Sequence, residues 1–214
     1  MQARTEKITF QGAAGAIDCI LDIPFQAPVG WALVLHPHSL QGGTRDNKIV
    51  TTIARACLEQ GLLVVRPNFR GVGASEGEFD HAVGEAADML QLIQQFTQSW
   101  PEAAMGKWVL AGFSFGTGVA ARVYSELAQA QKTVPDTVIL VGSAVGRFTN
   151  DNLTLPDDTL LIHGEDDEVV PLSEVMDFAR PRVLPVVVIP EATHFFHGKL
   201  LILRRLVQQR LDVL

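Results

Sequence analysis

Residues 108–118 read Trp-Val-Leu-Ala-Gly-Phe-Ser-Phe-Gly-Thr-Gly, an apolar run ending in one hydroxyl with a glycine two positions to either side. A continuous strand or helix has no need of glycines so placed. A strand that turns sharply into a helix does, because the residue at its tip is strained and neighbouring backbone must come close. The stretch predicts a strand over 108–111, a helix over 115–131, and Ser114 raised at the turn between them.

The rest of the chain extends this pattern. Residues 8–10 and 16–23 read as two early strands, an antiparallel entry to a sheet. Residues 31–35 (WALVL) form a continuous apolar run, as a strand buried on both faces would. Residues 47–60 have helical spacing, with Asp46 as the expected N-cap and Gly61 where a helix ends. Further strands are expected at 62–66, 138–141, 160–163 and 186–189. Helices are expected at 82–100, 174–180 and 198–213. Strands alternating with helices predict an α/β fold with a mostly parallel, twisted sheet and helices on both faces, joined by right-handed crossovers. The sequence has no internal repeat or linker, so residues 1–214 read as one domain.

Composition narrows the function classes. With 47% hydrophobic and 19% charged residues the chain is an ordinary globular one and not a disordered one. A net charge of −7 argues against phosphate-backbone binding, so no nucleic-acid partner is expected. The segment MQARTEKITF lacks the apolar core of a signal peptide, and no run approaches the roughly 18–20 apolar residues of a membrane span. A cytoplasmic protein without a membrane partner is the expectation. Cys19 and Cys57 fall in a predicted strand and a predicted helix and read as small buried hydrophobes.

Functional groups of an open parallel sheet gather beyond the carboxyl ends of its strands. The segments there are His36-Pro37-His38-Ser39-Leu40, Asn68-Phe69-Arg70-Gly71, Gly112-Phe113-Ser114, Gly164-Glu165-Asp166-Asp167-Glu168 and Pro190-Glu191-Ala192-Thr193-His194. A serine, an acid and a histidine therefore follow one another in chain order at one edge of the predicted sheet. That order is the one nucleophilic acyl transfer uses on this kind of scaffold.

On HPHSLQGG, RPNFRGVGASEG, GFSFG, IHGEDDEVVP and THFF, the chain resembles the α/β-hydrolase fold family over nearly its whole length. It is most similar to the small, lidless serine esterases of dienelactone-hydrolase type. The resemblance implies an esterase with Ser114 as nucleophile, His194 as base and Asp167 as the acid, acting on a small-molecule ester and water with no cofactor and no metal. Asp166 is the alternative acid and His197 the alternative base; Asp166 and Glu168 otherwise read as solvated or capping groups. One oxyanion donor is expected from the backbone N–H of Phe115. The other is expected after Pro37, which has no N–H, from His38, with Ser39 and Leu40 as alternatives. Only residues 144–158 separate two strands where many relatives insert a helical lid, so the site should be open and shallow.

Competing readings are weaker. His36 and His38 follow one strand, His163 and His194 lie at the ends of two others, and the four form no metal-binding spacing, so His36 and His163 read as hydrogen-bonded structural groups. Gly71, Gly73 and Gly77 miss the dinucleotide fingerprint. Arg70 reads as a structural partner of Glu85 or Asp88. Phe195 and Phe196 read as core or as an acyl pocket, and Phe113 and Phe115 as core or pocket wall. A peptidase of the same fold and a catalytically silent scaffold are the alternative functions. Thioester cleavage would accompany ester cleavage, because the tetrahedral chemistry is shared.

Overall fold

The computed structural model describes residues 4–149 and 153–214. Its first two strands, β1 (Arg4–Gly12) and β2 (Gly15–Ile23), form an antiparallel hairpin that continues β1 well beyond the expected 8–10. β3 (Gly30–Leu35) and β4 (Leu62–Pro67) follow, with α1 (Lys48–Glu59) between them. The N-cap of α1 is Asn47, not Asp46. Asn47 Oδ1 accepts from the Ile49 amide at 2.9 Å, while Asp46 is drawn to Arg66 instead.

α2 (Val83–Ser99) stops at Trp100, and a short α3 (Pro101–Ala104) succeeds it. Pro101 explains the break: its ring cannot continue the α2 hydrogen-bond ladder but suits the first turn of a new helix. β5 (Lys107–Phe113), α4 (Phe115–Gln129), β6 (Thr137–Val141) and a single turn α5 (Val145–Phe148) come next. Part of the short connection expected in place of a lid, residues 150–152, lies outside the described residues. The chain closes with β7 (Leu160–Gly164), α6 (Leu172–Ala179), β8 (Val186–Ile189) and α7 (Leu200–Asp212).

The eight strands form one sheet in the order β1-β2-β4-β3-β5-β6-β7-β8. β2 is antiparallel to both of its neighbours, and every pairing from β4 to β8 is parallel. Side-chain alternation divides the core in two. Trp31, Leu33, Leu35 and Leu110 meet Met89, Leu92 and Phe96 of α2 and Val119 and Val123 of α4. Ala32, Val34, Val109 and Ala111 face the other way, onto Ile49, Ile53 and Cys57 of α1 and Leu203 and Val207 of α7. Fully burying each such large apolar side chain contributes about 1.5–3 kcal/mol before entropy is charged. Phe96 and Trp108 both stack on Trp31, at 4.3 and 5.0 Å.

Register positions the site. Leu35 pairs with Gly112, so the loop beginning at His36 leaves the sheet beside Ser114. Gly164 pairs with Ile189, which brings the acid loop and the histidine loop out side by side.

Candidate active site

Ser114 sits between β5 and α4 at φ 53° and ψ −120°, a left-handed conformation costly for a residue with a Cβ. Backbone contacts hold it there. Its N–H donates to the Val141 carbonyl at 2.9 Å, and its carbonyl accepts from the Thr117 amide at 2.9 Å and the Thr117 hydroxyl at 2.5 Å. Thr117 Oγ1 in turn accepts from the Ala144 amide at 2.9 Å. This clamp has no signature in the sequence, because a threonine three residues into a helix has no motif of its own.

The flanking glycines are required by close approach. A Cβ on Gly112 would stand 2.3 Å from the Gly116 carbonyl oxygen. A Cβ on Gly116 would stand 2.6 Å from the Leu35 carbonyl oxygen and 2.7 Å from that of His36. Both contacts are with backbone, which cannot rotate away.

Asp167, His194 and Ser114 come together although they are far apart in the chain. The Ser114 hydroxyl lies 3.0 Å from His194 Nε2, and His194 Nδ1 lies 2.7 Å from Asp167 Oδ2. A carboxylate only accepts, so Nδ1 carries the proton and Nε2 is left as the acceptor for the serine O–H. His194 is 2% exposed and Asp167 5%, so water does not compete for either bond.

Burial works to raise the Asp167 carboxyl. The hydrogen bonds from His194 and from the Val170 amide outweigh it and hold the carboxyl below its ordinary value. Its second oxygen accepts from the Val169 and Val170 amides at 3.0 and 2.7 Å. Asp166 and His197 lie on the surface, and neither carries these bonds.

His163 is buried beside the acid, its Nε2 2.8 Å from the Val170 carbonyl and 3.3 Å from Asp167 Oδ2. Burial lowers its pKa and keeps it neutral. His36 is similar: its Nδ1–H donates to the Pro37 carbonyl and its Nε2 accepts from the Phe69 amide at 2.8 Å. Burial pushes it down to about 4. Both are structural imidazoles. Arg70 is bound by Asp88 rather than facing the site, its Nη2 at 3.1 Å.

Three amides of the segments that follow β3 and β5 are open among the described residues. Phe115 begins α4, where an N–H has no intrahelical acceptor and the dipole is positive. After Pro37, the Leu40 amide donates to His38 Nδ1 at 3.3 Å. The His38 and Ser39 amides make no hydrogen bond among the described residues. The His38 ring stacks on Phe79 at 4.6 Å. Glu168 is exposed, and its Oε2 accepts from the His194 backbone amide at 3.3 Å.

A shallow cavity of about 160 Å³ opens over Ser114 and His194, with Val169 and Phe195 on its wall. Phe195 is 42% exposed, whereas Phe196 belongs to the core. A larger groove of about 730 Å³ near the amino-terminal ends of β3 and β5 includes Trp31 and Trp108. Of the two, the smaller cavity is the one that Ser114 and His194 line.

Among the described residues no group of three or more His, Cys, Asp or Glu side chains is arranged to hold a metal ion, and no helix is long and apolar enough to cross a membrane.

A serine hydrolase without a lid from Xanthomonas campestris matches this structure with a TM-score of 0.85 at 34% identity, covering 96% of this chain and 93% of its own. An α/β serine hydrolase homologue from Coxiella burnetii matches with a TM-score of 0.83 at 36% identity, covering 96% of each chain. The chain belongs to the lidless α/β serine hydrolases. A dienelactone hydrolase from Anabaena variabilis shares the α/β-hydrolase fold at a TM-score of 0.75 and 20% identity, over 98% of this chain and 97% of its own. An uncharacterized protein from Rickettsia prowazekii is 43% identical over 94 residues; that match spans 44% of this chain and 38% of the relative. No family model matches the chain. As in other lidless α/β serine hydrolases, the sheet is mostly parallel with an antiparallel strand near one edge.

Proposed function

We propose that this lidless α/β serine hydrolase cleaves carboxylic esters through an acyl-enzyme on Ser114. One observation carries the reading: an unbroken line of hydrogen bonds from Asp167 through His194 to the Ser114 hydroxyl, at 2.7 and 3.0 Å.

A serine hydroxyl is a poor nucleophile at neutral pH and needs a base within reach. As Ser114 Oγ attacks the ester carbonyl, His194 Nε2 takes its proton, and Asp167 stabilises the imidazolium without accepting the proton. The carbonyl oxygen becomes an oxyanion, received by the Phe115 and His38 amides. Collapse expels the alcohol, protonated by His194, and leaves the acyl group on Ser114. Water then repeats the sequence with His194 again as base, freeing the acid. Thioesters would follow the same path.

In this role residues 1–214 act as one domain in the cytoplasm on a small ester and water, with neither cofactor nor metal. Two buried, unpaired cysteines suit a reducing compartment. Burial raises both thiols, Cys57 to about 12, so neither competes as a nucleophile.

Steady-state turnover of short p-nitrophenyl esters tests the proposal. The expected result is hydrolysis by the wild-type chain and its loss, by three or more orders of magnitude, in Ser114→Ala. Undiminished turnover in the variant would refute it.

A further inference from the structure

The cavity over Ser114 has a volume of about 160 Å³, the liquid share of about five water molecules. It encloses a short group, and a longer chain would project into solvent. Its lining is chemically divided. The loops after β7 and β8 supply Val169 and Phe195, both apolar, while the segment between β3 and α1 supplies Gln41 and Asn47, both amides.

Asn47 is the more firmly held of the two amides. Its backbone N–H donates to the Thr44 carbonyl at 3.1 Å, and its carbonyl accepts from the Thr51 amide at 2.9 Å. Its side-chain Oδ1 is committed to the Ile49 amide as the cap of α1. What remains is the side-chain NH₂, which has no acceptor among the described residues. Capping thus fixes a side chain that lines the cavity and keeps its two N–H groups free, with little entropy left to lose on meeting an acceptor.

Resting on the ester-hydrolase reading, we propose that Asn47 is a specificity-determining residue whose side-chain N–H donates to an acceptor oxygen lying a few atoms from the scissile carbonyl, so that short oxygenated esters are preferred over plain alkyl ones. An alkyl group of equal length displaces water from the amide and returns no hydrogen bond. An ether or hydroxyl oxygen restores it.

Asn47→Ser and Asn47→Asp test this, because serine and aspartate both cap helices and leave α1 intact. Two isosteric pairs are compared by kcat/KM. p-Nitrophenyl methoxyacetate against p-nitrophenyl butyrate places the oxygen on the acyl side, and 2-methoxyethyl acetate against butyl acetate places it on the alcohol side. Dividing the ether-to-alkyl ratio of each variant by that of the wild type cancels intrinsic reactivity and any common effect on the catalytic residues. For at least one pair the ratio is expected to fall about five- to tenfold in Asn47→Ser, the size of one neutral hydrogen bond. It should fall further in Asn47→Asp, where a carboxylate faces the oxygen. Ratios within twofold of wild type for both pairs, in folded variants that still turn over the alkyl esters, would overturn the proposal. Failure of the ester reading has a different signature: no turnover of any of the four esters by the wild-type chain, which overturns both.

Discussion

Gly116 packs its α-carbon against the Leu35 carbonyl so closely that no side chain fits between α4 and the end of β3. This contact sets the distance between the serine elbow and the loop carrying the His38 amide. On the proposed mechanism, stability and oxyanion geometry therefore share one residue. Gly116→Ala is expected to lower unfolding free energy by about 1–3 kcal/mol, the cost of overpacking, in urea titrations. It should also reduce kcat more than it raises KM, because the displaced loop binds charge that exists only after attack.

Asp167→Asn keeps the shape of the acid but can present an N–H to His194 Nδ1. The imidazole then carries its proton on Nε2, where it cannot accept from Ser114. A fall in kcat of about 10⁴ is expected, as for the same exchange in other serine triads. The variant should fold, so circular dichroism separates this outcome from simple unfolding.

His36 gives the protein an acid-sensitive core. The unfolded chain binds a proton at this residue below its ordinary value of 6.5, whereas the folded chain resists until about 4. Between those values the unfolded state holds more protons, so stability falls as the pH drops through the window and is unaffected above it. The loss at the lower end is roughly 3 kcal/mol. Buried His163, also shifted down, acts in the same direction. Urea unfolding at pH 7 and pH 4.5 should show the decline, and His36→Gln should flatten it.

Asp167 extends the decline to lower pH. Its folded carboxyl is held below the ordinary 3.8, so its stabilisation is present above that value and is lost as pH falls through the folded one.

Thr117 secures the elbow from the far side of the serine. Thr117→Val removes the hydroxyl that bonds the Ser114 carbonyl and leaves the buried Ala144 amide without its acceptor. A loss of about 1–3 kcal/mol is expected in thermal or urea unfolding. A fall in kcat should accompany it as Ser114 loses its fixed backbone angle.

Much of the fold could be read because its signals are local. The run at 108–118 carries both the apolar strand and the glycines that its turn demands. The apolar stretches at 31–35 and 138–141 have the composition of strands buried on both faces. What escaped was set by tertiary contacts. Asp46 and Asn47 are both good caps, and only the pull of Arg66 on Asp46 separates them. The full length of β1 depends on its pairing with β2, since its outward side chains are polar. Among the site residues, Ser114, Asp167 and His194 follow strand ends in a telling order. Thr117 and Glu168 act through bonds to backbone that no motif announces, and Asn47 reads from sequence only as part of a helix start.

The most direct test of the central claim is peptide-mapped mass spectrometry after treatment with a fluorophosphonate. Attack by the activated hydroxyl should leave one phosphonyl group per chain, on Ser114, with labelling abolished in His194→Ala. An unlabelled Ser114 in a chain that still hydrolyses esters would contradict it.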